Sequence, residues 1–173
     1  MLALARIVSG GQTGVDRGAL DAALDCGFPC GGWCPEGRLA EDGRIADRYP
    51  LQVLSNAGYA ERTGQNVLDS DATLVLFHGR LEGGTEYTVR QCVEHARPYE
   101  LIDAGAIGAE QAATIALEFV AACGARILNV AGPRQSKWPG AHAYARRTIG
   151  LLLNRVARDP VTRTSPTAPR IAH

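Results

Sequence analysis

Strand-like apolar segments alternate with helical segments along almost the whole chain. The clearest strand is Ala72–Phe77 (ATLVLF), which is apolar at nearly every position and is typical of a strand buried on both faces. This alternation predicts an α/β fold with a mainly parallel sheet flanked by helices. The predicted strands are Ala3–Val8, Phe28–Gly32, Ala72–Phe77, Tyr99–Ile102 and Arg126–Ala131, and the predicted helices are Asp16–Cys26, Tyr59–Leu68, Glu86–Ala96, Ala109–Ala122 and His142–Arg158.

Composition narrows the class of protein. Hydrophobic residues make up 46% of the chain and charged residues 21%, as in ordinary globular proteins. The 18 basic and 18 acidic side chains give a formal net charge of zero, which argues against a general nucleic-acid-binding protein.

No apolar run approaches the roughly 18 residues that span a membrane, and the N-terminal residues lack the basic region of a secretory signal. We therefore expect a cytoplasmic protein with no nucleic-acid and no membrane partner.

The domain organisation follows from length and local composition. A chain of 173 residues suits a single domain, which we place at residues 1–158, followed by a tail rich in Pro and Thr at residues 159–173. The segment Trp33–Pro50 is rich in Gly, Pro and charge, and it is long for a loop in a compact domain. Loops of this length are usually functional or mobile, so the alternatives for this charged segment are a lid beside the glycine-rich turns and a solvated face.

Glycine-rich turns follow three of the predicted strands. Turn 1 is Ser9–Gly14 (SGGQTG), turn 2 is Gly79–Thr85 (GRLEGGT) and turn 3 is Gly132–Gly140 (GPRQSKWPG). In an open α/β sheet, ligands bind in a crevice outside the carboxyl ends of the strands. The three turns therefore predict a ligand site at the carboxyl edge of the sheet.

Turn 1 has the composition of an anion site. Its glycines allow a ligand to approach the backbone, and N–H groups at the start of the following helix carry partial positive charge. The pattern is neither GxGxxG nor GxxxxGK[ST], so it indicates neither a dinucleotide site nor a P-loop NTPase. A tight βα turn that needs small residues is the structural alternative. The candidate residues are Gly10, Gly11, Gln12, Thr13 and Gly14, with Thr13 either capping the helix or binding a phosphate oxygen.

Turns 2 and 3 supply a second cradle and two cations. Two glycines and a threonine at a helix start repeat the anion-site chemistry, with an ordinary N-capped turn as the alternative. An arginine can bind an oxyanion with two parallel hydrogen bonds, and a lysine adds a point charge; solvated loop charges are the alternative. Turn 2 contributes Gly83, Gly84 and Thr85, and turn 3 contributes Gly132, Arg134 and Lys137.

Six sequence blocks resemble the molybdenum carrier family. In chain order they are GGQTGVDRGALD, GGWCPEGRLAEDGRI, YPL, ERTGQNVLDSDATLV, LEGGTEYT and NVAGPR, and together they extend over about residues 5–157. That family belongs to a larger group of Rossmann-like proteins, which includes the lysine-decarboxylase-like, or LOG, phosphoribohydrolases. The resemblance implies a Rossmann-like three-layer fold and a homo-oligomer, either a dimer or a tetramer.

The resemblance also implies a function. It implies a non-catalytic carrier that binds the molybdenum cofactor (molybdopterin), protects it and hands it to molybdoenzymes. The cofactor is a pterin that bears a phosphate and a dithiolene-bound molybdenum oxo group. In this interpretation turns 1 and 2 form anion cradles, and Arg38, Arg134 and Lys137 are the charge partners.

Two alternatives come from the enzyme relatives. Their PGGxGTxxE-like run has a glutamate past the threonine, which supports N-glycosidic cleavage together with an upstream arginine. The corresponding run here is EGGTEYTVR, in which Thr88 lies three residues beyond Thr85 and Glu86 faces another side of the helix. A LOG-like nucleotide phosphoribohydrolase and a nucleotide-sensing module are the alternatives. The residues leave the ligand open among molybdenum cofactor, a nucleotide and a free oxyanion such as molybdate.

The cysteines do not indicate a metal site. Cys26, Cys30 and Cys34 have four-residue spacing, whereas zinc ligands usually come as CxxC pairs. A helix end and a strand between them would also separate the sulfurs. We interpret them as core or loop thiols, with Cys34 as a soft donor to the ligand being the alternative. The odd number of cysteines, five, fits a reducing compartment.

Overall fold

Five parallel strands form the central sheet of the protein. A computed structural model describes residues 4–158, and the predicted tail at 159–173 lies outside the described residues. In chain order the elements are β1 (Arg6–Val8), α1 (Val15–Asp25), β2 (Cys30–Gly31), β3 (Trp33–Cys34), a 3-10 turn (Glu36–Arg38), β4 (Leu39–Ala40), β5 (Gly43–Arg44), β6 (Gln52–Val53), α2 (Tyr59–Leu68), β7 (Ala72–Phe77), α3 (Gly83–Glu94), β8 (Tyr99–Asp103), α4 (Ala109–Cys123), β9 (Ile127–Ala131) and α5 (Ala141–Arg158).

The strand order of the sheet places the three turns side by side. The order is β2-β1-β9-β7-β8, and every neighbouring pair is parallel. Turns 1, 3 and 2 follow β1, β9 and β7, which are adjacent in the sheet. All three turns therefore leave the same carboxyl edge, as the sequence predicts.

The helices cover both faces of the sheet. On one face α5 packs against both α1 and α4, and on the other α2 packs against α3. Successive residues of β7 point to opposite faces of the sheet. Leu74 and Leu76 join the large core beneath α1, α4 and α5, and the buried Thr73 and Val75 lie on the other face. The predicted α/β Rossmann-like three-layer fold is confirmed.

Most element boundaries lie within one or two residues of the prediction, and the start of α3 differs by three residues. α2 and β7 have the predicted bounds, but α3 begins at Gly83 rather than Glu86. Glycine has poor helix propensity, so the pattern alone favours a later start. The helix nevertheless begins at the glycines because the Glu82 carbonyl accepts hydrogen bonds from the amides of Thr85 and Glu86.

The long segment at residues 33–50 is anchored by its own small core. β4 and β5 form an antiparallel hairpin, and β3 pairs with β6 in a short parallel ladder. Apolar side chains from this region pack beneath α1 and fix the segment on that helix. The buried members of this second core are Leu20, Cys34, Ala40, Ile45, Tyr49 and Leu51.

Within residues 4–158, no helix is both long enough and apolar enough to cross a membrane.

The packing of α1 on α5 generates a stability prediction. A Cβ atom added at Gly18 in α1 would lie 2.5 Å from the backbone oxygen of His142, so the two helices would have to separate. We expect Gly18→Ala to lower the free energy of unfolding by about 2 kcal/mol, as overpacking does. Gly150→Ala in α5 is the matched control, because a Cβ there meets no atom within 4 Å. It should raise stability by about 0.5 kcal/mol through helix propensity, and urea unfolding measures both changes.

Candidate functional site

A cavity of about 580 Å³ lies at the carboxyl edge of the sheet. Its volume is within the range of small-molecule sites, about 300–1,000 Å³. The first turns of α2 and α3 and parts of all three glycine-rich turns form its walls. Of the predicted site residues, the cavity lining includes Gly10, Gln12, Gly83, Gly84, Thr85, Gly132, Arg134 and Lys137.

Turn 2 offers backbone donors to this cavity. The amides of Gly83 and Gly84 stand at the start of α3, and no acceptor among residues 4–158 pairs with either of them. A Cβ at Gly84 would meet nothing within 4 Å, so the space beside this amide is open. Free N–H groups at the positive end of a helix are a favourable place for an anion. The geometry of turn 2 suits the cradle that the sequence predicts.

Turn 1 is organised differently, because its donors are used inside the protein. The amide of Gln12 donates to the Asp16 carboxylate over 3.2 Å, and the amide of Thr13 donates to the Gln12 side-chain oxygen over 3.0 Å. Gly11 and Gly14 have positive φ angles of 77° and 81°, which explains the need for glycine at both positions. The backbone of turn 1 therefore shapes the cavity wall and holds α1, while the amides of Ser9, Gln12 and Thr13 are already satisfied.

An arginine that the sequence interpretation missed lies over turn 1. Arg62, from α2, donates from Nη1 to the Asp16 carboxylate over 3.0 Å, and both side chains are largely buried, at 11% and 6% exposed. A Cβ at Gly10 would lie 1.3 Å from Arg62 Nη1, so the first glycine makes room for the guanidinium. The Nε atom of Arg62 is buried and has no hydrogen-bond partner among the described residues.

The buried pair sets the electrostatics of this wall. Burial raises the pKa of Asp16, and the neighbouring Arg62 charge, its hydrogen bond and the Gln12 amide act in the opposite direction. A guanidinium stays protonated in proteins, so Arg62 brings a permanent positive charge to the cavity lining. Sequence reasoning missed this residue because the pair joins positions 46 apart in the chain. The only local signal was its place at the start of a predicted helix in the ERTGQN run.

Two predicted turn residues bind a carboxylate of the protein itself. Glu41 accepts hydrogen bonds from the Thr13 hydroxyl and from the amide and hydroxyl of Ser136, and its carboxylate lies 3.4 Å from Arg134 Nε. Burial opposes ionisation of Glu41, but these donors outweigh it and lower the pKa of the carboxyl. Thr13 therefore neither caps α1, whose N-cap is Gly14, nor lines the cavity.

Arg38 lies away from the cavity. Its guanidinium donates to the carbonyl oxygens of Ile45, Ala46, Tyr49 and Leu51, at distances of 2.9–3.1 Å. Its side chain is only 12% exposed. These bonds hold the long segment in its fold, so the cavity draws its positive charge from other residues. The cations that line it are Arg62, Arg80, Arg134 and Lys137.

Aromatic side chains also line the cavity. Trp138, in turn 3, has its ring centroid 5.6 Å from that of His78 and 5.4 Å from that of Tyr144. These contacts fix the indole in place. Tyr59, at the first position of α2, also lines the cavity and is 48% exposed. The cavity thus combines cationic donors with flat apolar surfaces that suit a ring.

The chain matches a protein-family model over residues 7–153, described as the circularly permutated YpsA SLOG family. The chain belongs to this family. It is also similar to a solved structure, the putative molybdenum carrier protein from Syntrophus aciditrophicus SB, with 42% sequence identity and a TM-score of 0.85. The likeness covers 87% of this chain and 96% of the other. No curated protein sequence matches the chain. The relationship that the sequence blocks suggest is therefore confirmed at the level of the family and fold.

The side chains of this SLOG-family protein do not form a metal centre in the described region. Residues 4–158 contain no cluster of three or more His, Cys, Asp or Glu side chains that could hold a metal ion. All five cysteines are free thiols, and burial raises the pKa of Cys34 despite nearby arginines. Cys34 packs in the small core beneath α1, away from the cavity lining.

The buried Asp16–Arg62 pair generates a prediction for this SLOG-family protein. Removing one partner of a buried ion pair leaves the other charge uncompensated, at a cost of about 3 kcal/mol. We expect Arg62→Met to lower the free energy of unfolding by about that amount, and Asp16→Asn in the same chain to recover part of the loss. Arg44→Met is the control, because Arg44 and its partner Asp47 are 58% and 80% exposed. The free energy of unfolding is measured in urea for both variants. If Arg62→Met and Arg44→Met lower it equally, burial is not what makes the Asp16–Arg62 pair important.

Proposed function

We propose that this chain is a carrier that binds a phosphorylated, anionic small molecule, the molybdenum cofactor, protects it and hands it to molybdoenzymes. The observation that carries the proposal is that one cavity is lined both by the Arg62 guanidinium and by the amides of Gly83 and Gly84. Those two amides and the Arg62 Nε atom have no hydrogen-bond partner among residues 4–158. The name of the solved relative, a molybdenum carrier protein, supports the choice of ligand.

The anionic part of the ligand would bind at turn 2. The amides of Gly83 and Gly84 have no acceptor among residues 4–158, and Lys137, which also lines the cavity, lies 3.9 Å from Glu82. The Lys137 and Glu82 side chains are 56% and 63% exposed, so their pairing is weak and Lys137 can turn to an incoming phosphate. Backbone donors with a nearby cation are a common arrangement for phosphate.

The ring of the ligand would bind at the aromatic part of the cavity. Trp138 is held by His78 and Tyr144, and a flat ring can stack on such a fixed surface at little entropic cost. A cavity of about 580 Å³ is suited to a ligand of drug-like size. A free tetrahedral oxyanion would leave most of this space and its aromatic lining unused, which favours a pterin over molybdate.

Protection would come from enclosure and not from catalytic side chains. Asp16 is tied to Arg62 and to the Gln12 amide, so its carboxylate is already paired. Thr88 stands where the related hydrolases have a glutamate, and its hydroxyl donates to the Gly84 carbonyl over 3.0 Å. When bound, the cofactor supplies the molybdenum chemistry; the residues of the chain would hold it and exclude water. We also propose that the carrier acts in the cytoplasm as a homo-oligomer.

The proposal is tested by purifying the protein from a host that makes the molybdenum cofactor. Molybdenum is measured by mass spectrometry and the pterin by fluorescence after oxidation. Lys137→Gln should weaken retention about tenfold, since a charge-assisted hydrogen bond contributes about 1.5 kcal/mol. Arg44→Gln, which removes an exposed cation away from the cavity lining, should retain cofactor like the unaltered protein.

Two outcomes would contradict the proposal. If the unaltered protein neither retains nor protects the cofactor at micromolar concentration, the carrier function is wrong. If a nucleotide copurifies and adenine is released from AMP, the LOG-like hydrolase is the better interpretation.

A further inference from the structure

The tip of the β4–β5 hairpin reaches two of the three glycine-rich turns. Pairing of Leu39 with Arg44 and of Ala40 with Gly43 leaves Glu41 and Asp42 at the tip. The Glu41 amide donates to the Gln12 side-chain oxygen over 2.9 Å. The Asp42 carboxylate pairs with Arg17, at 2.5 and 2.8 Å. The hairpin is thus bound to turn 1 and α1 through both tip residues.

The Glu41 side chain also binds turn 3, whereas no contact joins the Asp42 side chain to that turn among the described residues. The two carboxylate oxygens of Glu41 accept hydrogen bonds from the Thr13 hydroxyl, from the Ser136 amide at 3.1 Å and from the Ser136 hydroxyl. The Arg134 guanidinium lies 3.4 Å from the same carboxylate. The side chain is 18% exposed, although it stands at a hairpin tip. Two hydroxyls, an amide and a guanidinium form the kind of donor set that binds a ligand oxyanion.

The Glu41 carboxylate is the acceptor for the middle of turn 3. The Gln135 amide donates to the Thr13 hydroxyl, which itself donates to Glu41, and the Lys137 and Trp138 amides donate to the Arg134 carbonyl within the turn. The two ends of the turn are anchored separately, since the Pro133 carbonyl accepts from the Val15 amide and the Gly140 carbonyl from the Tyr144 amide. Without the carboxylate, several donors lose their acceptor at once, and the free energy that orders the turn falls.

We propose that Glu41 is a positioning residue for ligand binding, which acts by fixing Arg134. Glu41 lies beside the Nε atom, so the terminal nitrogens of the guanidinium remain available to the cavity that Arg134 lines. The same bonds set the position of the turn that carries Lys137 and Trp138. This inference rests on the proposed function only in taking the cavity as the ligand site.

The first part of the test needs no ligand. Hydrogen exchange of the Ser136 amide is compared in the unaltered protein, in Glu41→Gln and in Asp42→Asn. We expect exchange to be about tenfold faster in Glu41→Gln, because the Ser136 amide then loses its hydrogen bond to a charged acceptor. Asp42→Asn removes the neighbouring charge, whose partner is Arg17 and not turn 3, so it should leave the exchange rate unchanged. Equal exchange in the two variants would overturn the inference.

The second part asks whether Glu41 acts through Arg134. Affinity for molybdenum cofactor released from a molybdoenzyme is measured for Glu41→Gln, Arg134→Gln and the double variant, at a temperature at which all are folded. We expect each single variant to bind about tenfold more weakly, and the double variant to bind no more weakly than Arg134→Gln. Additive losses, which a merely structural role would give, would overturn the inference.

The two proposals fail in different ways. If the unaltered protein does not bind the cofactor, the proposed function is wrong, but the Ser136 exchange comparison still decides whether Glu41 orders turn 3. If the unaltered protein binds the cofactor and Glu41→Gln binds equally well, the carrier function stands and the role of Glu41 is wrong.

Discussion

The ion pair between Asp16 and Arg62 joins the two helical layers of the protein at the carboxyl edge of the sheet. Asp16 belongs to α1 on one face, and Arg62 belongs to α2 on the other. Both side chains are nearly buried, so each charge needs the other to offset the cost of its burial. The pair closes one wall of the cavity, fixes the amide of Gln12 and explains why Gly10 has no side chain. The shape of the site therefore depends on a contact that belongs to neither layer alone.

The three glycine-rich turns have the same appearance in the sequence but contribute differently to the cavity. In turn 2 the amides of Gly83 and Gly84 have no acceptor among residues 4–158, as an anion cradle requires. Turn 1 uses two of its amides to bind side chains of its own region, and Glu41 accepts hydrogen bonds from turn 3. An internal carboxylate and an external phosphate satisfy the same donors. A glycine-rich turn in a sequence therefore does not distinguish donors that bind the protein's own side chains from donors left without an acceptor in the described chain.

Sequence reasoning predicts the parts of this molecule that depend on local periodicity. The helix Tyr59–Leu68 and the strand Ala72–Phe77 are predicted to the residue, because each has an unbroken pattern and clear ends. The location of the site follows from strand ends, which the sequence also marks. The roles of Arg62 and Arg38 do not follow, because each is decided by partners that only the folded chain brings near. The residues next to a charged side chain in the sequence are the same whether that side chain faces a ligand or the carbonyl groups of its own loop.

The position of β9 has a consequence for how the protein is made. This strand is the last one within residues 4–158, yet it lies between β1 and β7 in the centre of the sheet. Until it emerges from the ribosome, β1–β2 and β7–β8 are two separate strand pairs with no sheet contact between them. Such long-range pairing is slow and leaves strand edges exposed while synthesis continues. The nascent chain therefore cannot assemble its cavity until β9 and turn 3 have emerged.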